Sequence, residues 1–103
     1  MTYDIQQKLK KLEQKLRDNQ IPFQSLFLFG SSARGTAHEW SDIDVAVVGP
    51  AFGKDPIDET VRLSLIASPI DPAFSPVAMR PEDLEDRFSS IGTAIRKEGI
   101  EIR

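Results

Sequence analysis

Apolar residues recur at helical spacing through the first part of the chain. Ile5, Leu9, Leu12 and Leu16 are separated by four, three and four residues, which places them on one face of an α-helix. Lysine and arginine side chains cover much of the remaining surface. The spacing predicts an amphipathic helix over residues 3–18 that ends before Pro22.

Two short apolar runs follow, and each is bounded by residues that interrupt regular structure. Residues 25–29 form a continuous run that ends at Gly30, which is typical of a buried strand. Residues 43–48 are rich in β-branched side chains and end at Gly49. On this second strand Asp42 and Asp44 would share one face.

A second helix is predicted to begin near Pro56 and to end before Pro69. Along it, Ile57, Val61 and Leu65 repeat every four residues. This spacing is again that of a helix.

The last third of the chain has a less regular pattern. Residues 73–79 favour an extended conformation, but the prolines within and before them lack an N–H donor and indicate a sheet edge or an irregular segment. Pro81 then opens a helical region in which Leu84, Phe88, Ile91 and Ile95 recur at helical spacing. We expect Gly99 to cap this helix and residues 100–102 to add a short strand.

This alternation of helices and strands predicts an α+β fold, that is, a mixed fold in which helices cover a sheet of three to four strands. A length of 103 residues is that of one domain, which we place over residues 1–103. The predicted core is modest in size.

Composition narrows the class of function. The net charge of −3 and the pI of about 5.1 disfavour long nucleic acid as a partner. The absence of cysteine excludes disulfides, thiol catalysis and cysteine metal sites. No apolar run is long enough to cross a membrane, and the first residues lack the apolar core of a signal peptide, so we expect a cytoplasmic protein.

Asp42 and Asp44 are the first candidate for chemistry. On a strand their Cα atoms would lie about 6.5 Å apart with both side chains on one face. Two such carboxylates repel each other unless a cation binds, and hard oxygen ligands suit Mg²⁺ or Mn²⁺. The alternative is a solvated entrance to the strand.

Gly30 and Ser31 are the second candidate. A glycine after a buried strand, followed by the start of a helix, presents free backbone N–H groups that can bind phosphate. Ser31 can donate its hydroxyl to a phosphate oxygen, and Arg34 lies one helical turn further. The alternative is a tight turn with a serine cap and a surface arginine.

Taken together, the two motifs resemble those of the nucleotidyltransferase superfamily that shares the palm of DNA polymerase β. The family pattern is Gly-Ser, about ten residues, and then Asp-x-Asp; here residues 32–41 separate Ser31 from Asp42. The strings Gly-Ser-Ser-Ala-Arg-Gly and Ser-Asp-Ile-Asp-Val-Ala-Val-Val are most similar to the minimal nucleotidyltransferases, which are often the antitoxin partners of HEPN-domain proteins.

This resemblance implies a palm fold and a site for a nucleoside triphosphate. Gly30 and Ser31 would hold the triphosphate, Asp42 and Asp44 would bind metal, and Arg34 would support a phosphate. An acceptor hydroxyl would attack the α-phosphorus, and pyrophosphate would leave. The family usually adds a third carboxylate on the third strand.

The third carboxylate is not obvious in this sequence. The position that aligns with it at mid-strand is Ser75. Asp71 lies four residues earlier, about 13 Å away along a regular strand, and is the candidate third acid. It also has a simpler interpretation as a turn residue before Pro72.

Two hypotheses of function follow. The chain is either an active nucleotidyltransferase that moves AMP from ATP, or another NMP, onto a hydroxyl of a protein or other acceptor, or a catalytically degenerate module that binds nucleotide or neutralises a partner. We expect a HEPN-type protein partner or a homo-oligomer to complete the site. His38 is interpreted as an exposed loop residue, and Trp40 either covers the core or stacks on a base.

Overall fold

The structure is a computed structural model that describes residues 2–36 and 41–102. The elements in chain order are α1 (Tyr3–Asp18), β1 (Ser25–Phe29), α2 (Gly30–Arg34), β2 (Ile43–Val48), α3 (Pro56–Ala67), β3 (Phe74–Met79), a 3₁₀ helix (Pro81–Leu84), α4 (Ser90–Glu98) and β4 (Ile100–Ile102). Within these ranges no helix combines the length and the apolar character needed to cross a bilayer.

The four strands form one mixed sheet in the order β3-β2-β1-β4. Strand β1 is antiparallel to both β2 and β4, whereas β2 and β3 are parallel. Helix α3 supplies the crossover connection that a parallel pair requires. The mixed α+β architecture is therefore confirmed, and β3 with its Pro76 lies at an edge of the sheet, where the missing N–H is tolerated.

Helices α1 and α3 cover one face of the sheet. The predicted helix α1 is confirmed over residues 3–18, and Leu9, Leu12 and Leu16 are fully buried on that face. They join the inward-facing side chains of the sheet, including Val45 and Val47, in the main core. This burial supplies most of the stability of the helix, since isolated helices of this length are marginal in water.

The opposite face of the sheet carries a smaller core. Ala46, Val48, Met79 and Ile95 are buried there, and α4 packs on this side through Ile95 and Ile91. Asp44 belongs to the same face as Ala46 and Val48 because side chains alternate along a strand. The candidate site therefore lies on the face away from α1 and α3.

Helix α3 is present as predicted, but its apolar repeat does not face the core. Leu63 and Ala67 are its buried residues, whereas Ile57, Val61 and Leu65 are exposed. The repeat of every four residues correctly indicated a helix. It did not indicate which face packs, because packing depends on where the sheet lies.

The predicted last helix is wrong in its extent. The chain forms a short 3₁₀ helix over Pro81–Leu84, leaves helical structure, and begins α4 only at Ser90. Asp86 accepts a hydrogen bond from the backbone N–H of Phe88, and Ser89 caps α4 by accepting from Gly92. These side-chain hydrogen bonds compete with a continuous helix, and Phe88 is consequently exposed.

Candidate functional site

Gly30 joins the two motifs in space. It follows β1 directly and has a φ of +70°, a conformation that favours glycine. A Cβ atom at this position would overlap the Oδ2 atom of Asp44, and the Cγ atom of Asp44 would lie 3.2 Å away. The backbone of the Gly-Ser turn is therefore packed against the carboxylate of Asp44.

Antiparallel pairing explains this approach. The register of β1 and β2 places Phe29, at the end of β1, opposite Asp44, near the start of β2. The turn after β1 and the carboxylates at the start of β2 consequently meet at one end of these two central strands. Two segments that are separated by ten residues in the sequence thus form one site.

Asp42 and Asp44 differ in environment. Asp42 is exposed, and Asp44 is half-buried. Burial raises the pKa of Asp44 above its ordinary value, the negative charge of Asp42 raises it further, and the positive charge of Arg34 opposes both effects. These influences indicate that the two carboxylates and Arg34 act on a common small region.

Arg34 is already engaged by another side chain. It ends α2, and its Nη1 atom donates to Oε2 of Glu98, at the end of α4, over 3.1 Å. Both side chains are partly exposed, so this ion pair contributes little to stability. Glu98 was not singled out by the sequence, because nothing in the local pattern brings the end of α4 to the end of α2.

Asp71 lies at a different place. Its Oδ2 atom is 2.5 Å from Nζ of Lys8 on α1, and its Oδ1 atom accepts from the backbone N–H of Ala73. The hydrogen bond from Lys8 and then that from Ala73 lower the pKa of Asp71. The structure therefore ties Asp71 to α1, on the far face of the sheet, and does not group it with Asp42 and Asp44.

Ser75 is the residue that lies beside the carboxylate pair. In the parallel register of β2 and β3, Ser75 is directly opposite Asp44, and its side chain is exposed. Register partners on adjacent strands are separated by the strand spacing of about 4.8 Å. A hydroxyl therefore stands where a third carboxylate would complete an acidic cluster.

The residues present fit a divalent cation only in part. Asp42 and Asp44 offer hard oxygen ligands, and their mutual repulsion at Asp44 is what a cation would relieve. Among residues 2–36 and 41–102, no group of three histidine, cysteine, aspartate or glutamate side chains is arranged to hold a metal ion. Such a site would take its remaining ligands from water and from phosphate oxygens, as Mg²⁺ sites commonly do.

The fold and the site at the end of the central strands agree with a match between this sequence and a known protein family. Residues 9–93 match the nucleotidyltransferase domain family. The chain belongs to this family. The resemblance that the Gly-Ser and Asp-x-Asp motifs indicated is thereby confirmed.

Two curated relatives of this nucleotidyltransferase domain are similar over much of its length. The protein adenylyltransferase MntA of Shewanella oneidensis is 38% identical over 73 residues, which are 68% of this chain and 50% of MntA. A candidate protein adenylyltransferase of Methanocaldococcus jannaschii is 39% identical over 80 residues, which are 74% of this chain and 52% of the relative. The chain spans about half the length of these relatives.

Solved structures show the same fold. A crystal structure of a toxin-antitoxin with AMP-PNP has a TM-score of 0.67 and 33% identity, over 95% of this chain and 72% of the other. A structure of a tri-AMPylated Shewanella oneidensis HEPN toxin in complex with an MNT antitoxin has a TM-score of 0.63 and 27% identity, over 95% of this chain and 71% of the other.

One feature of the motif was not anticipated. Ser32 is buried, and its hydroxyl has no hydrogen-bond partner among the described residues.

The predictions for His38 and Trp40 concern residues that lie outside the described ranges.

Proposed function

We propose that this nucleotidyltransferase domain transfers AMP from ATP to a hydroxyl group of a HEPN-type protein partner. The observation that carries the proposal is the packing of Gly30 against the carboxylate of Asp44, which brings a phosphate-binding turn and an acidic pair to one end of the central strands. The similarity to protein adenylyltransferases and to toxin-antitoxin structures supports the acceptor class.

Each residue of the site has a proposed role. The backbone N–H groups after Gly30 and the hydroxyl of Ser31 bind the triphosphate, and Arg34 balances its charge. Asp42 and Asp44 would hold Mg²⁺ or Mn²⁺, and the cation would neutralise the negative charge that develops on the phosphates. The ends of β1 and β2 hold these groups in fixed positions, so little reorganisation is needed when nucleotide binds.

The proposed reaction is a single displacement at phosphorus. The acceptor oxygen forms a bond to the α-phosphorus, the bond from the α-phosphorus to the bridging oxygen breaks, and pyrophosphate leaves with that electron pair. The hydroxyl proton passes to solvent. We further propose that the chain acts as one nucleotidyltransferase domain in the cytoplasm and that the HEPN-type partner supplies what its own site lacks.

A second candidate function is a module that binds nucleotide or neutralises a partner without catalysis. Two observations favour it: Ser75, not a carboxylate, lies beside Asp44, and Asp71 is engaged by Lys8. Under this alternative Gly30, Ser31 and Asp42 still bind nucleotide, but transfer to the partner does not occur.

In the decisive experiment the chain is incubated with Mg²⁺, ATP labelled at the α-phosphate, and a HEPN-type protein encoded by the neighbouring gene. We expect label on the partner, and we expect Asp42→Ala together with Asp44→Ala to abolish it. Glu85→Gln, which removes an exposed carboxylate from another part of the chain, is the matched control.

Two results would go against transfer. Label on the partner that survives loss of both aspartates would contradict catalysis by this site. Partner neutralisation without label, retained in the double variant, would establish the binding module instead.

A further inference from the structure

Helix α3 carries a line of exposed apolar side chains. Ile57, Val61 and Leu65 are 77, 52 and 70% exposed, and they recur every four residues along Pro56–Ala67. We call these three residues the α3 stripe. Large apolar side chains aligned along one helix are costly to leave in water and mark an interaction surface.

Charges of opposite sign lie at the two ends of the α3 stripe. At the start of the helix are Asp55 and Asp58. At its other end Leu65 shares a surface cavity of about 410 Å³ with Lys11 and Lys15 of α1. In the described part of the chain, no ion pair engages either lysine or Asp58.

We propose that the α3 stripe is a two-fold interface between two copies of this chain. With the two α3 helices antiparallel and the axis at Val61, Val61 faces its own copy and Ile57 faces Leu65 of the second copy. A two-fold interface requires this kind of self-complementary surface, in which each contact occurs twice.

The charges select the antiparallel arrangement. It places the acidic start of α3 beside Lys11 and Lys15 of the second copy, at both ends of the interface. A parallel arrangement would place Asp58 beside Asp58 and the lysines beside lysines, which is unfavourable. Antiparallel helices also align their dipoles favourably.

The interface is small and leaves the nucleotide site open. A helix of 12 residues is about 18 Å long, and one such helix pair buries less than the roughly 1,200–2,000 Å² of a stable complex. We therefore expect a weak dimer that is populated only at high protein concentration. Asp44 lies on the face of the sheet opposite α3, so dimerisation does not cover it.

Sedimentation velocity across a range of protein concentrations tests the proposal directly. We expect a shift from monomer to dimer with the wild-type chain, and monomer at every concentration with Val61→Glu, which puts two like charges on the axis. Circular dichroism checks that this exposed substitution leaves the fold intact. A wild-type chain that stays monomeric, or a Val61→Glu chain that dimerises equally well, would overturn the proposal.

Cross-linking tests the position of the axis. The chain has no cysteine, so Val61→Cys introduces a single thiol, and we expect it to form a disulfide-linked dimer on oxidation. Phe88→Cys is the control, because Phe88 is 91% exposed but lies outside the α3 stripe. Equal cross-linking of the two variants would contradict an axis at Val61.

A charge exchange tests the arrangement. We expect Asp58→Lys to weaken the dimer several-fold and the double variant Asp58→Lys with Lys15→Glu to restore it. A double variant that dimerises no better than Asp58→Lys alone would contradict the antiparallel arrangement.

Discussion

Gly30 is packed so closely against Asp44 that the carboxylate occupies the space that a side chain at position 30 would need. The same residue has a φ of +70°. Two independent requirements, a left-handed backbone and a close approach to an acid, therefore meet at one glycine. Its substitution should affect both folding and the site.

We expect Gly30→Ala to lower the free energy of unfolding by more than the roughly 1–2 kcal/mol that a left-handed backbone costs a residue with a Cβ atom. It should also weaken ATP binding more than tenfold, because Asp44 must move. Gly35→Ala is the matched control, since Gly35 has a φ of +75° but nothing within 4 Å of its added Cβ. Denaturant unfolding and calorimetric titration with ATP measure the two effects; equal loss of ATP affinity in both variants would show that the contact with Asp44 is unimportant.

Ser75→Asp should create a stronger cation site, because it adds a carboxylate directly opposite Asp44. We expect affinity for Mn²⁺ without nucleotide to rise at least tenfold, measured by electron paramagnetic resonance. Without metal the variant should be less stable than wild type at neutral pH, since three carboxylates then repel one another. In the control Ser75→Asn, the asparagine has the size of aspartate but no charge, so we expect neither effect. Unchanged Mn²⁺ affinity in Ser75→Asp would show that the cation binds elsewhere.

The ion pair of Asp71 with Lys8 should make stability depend on pH in the acid range. The pKa of Asp71 is lowered in the folded chain from its ordinary value of 3.8, so its contribution is fully present above that value and is lost as pH falls through the folded pKa. We expect Asp71→Asn to lower the free energy of unfolding by about 1 kcal/mol at pH 7. The difference from wild type should vanish in strong acid.

Urea unfolding at several pH values measures this effect. A difference that persists unchanged below the folded pKa would show that charge is not its cause. The same variant tests the hypothesis that Asp71 is the third acid, because a large loss of Mn²⁺ affinity would identify it as a ligand.

Glu98→Gln should strengthen nucleotide binding. Glu98 engages Arg34, and its negative charge lies near the proposed position of a polyanion. We expect ATP affinity to rise about two- to fivefold at low salt and the gain to shrink as salt screens the charges. Glu85→Gln removes the same charge elsewhere and should not change affinity; weaker ATP binding by Glu98→Gln would instead mean that Glu98 orients Arg34.

Local pattern was sufficient to predict much of the fold. The spacing of Leu9, Leu12 and Leu16 predicted α1, and the two apolar runs predicted β1 and β2 with their observed bounds. These elements could be predicted because their periodicity and their bounding residues are properties of consecutive residues. Similarly, the short spacing between Gly-Ser and Asp-x-Asp indicated one site, since a strand, a turn and an antiparallel strand bring such segments together.

By itself, the sequence determined the helices and strands that begin the fold and the two motifs that identify the family. The resemblance had also aligned Ser75 with the expected third carboxylate, and the register confirms that it lies opposite Asp44. The tertiary structure decided that Asp71 pairs with Lys8, that Glu98 reaches Arg34, and that Val61 faces solvent. The physical reason is that strand register and helix orientation are set by burial against distant segments. A repeat of every four residues, or an acid near the start of a strand, does not show which distant segment it will meet.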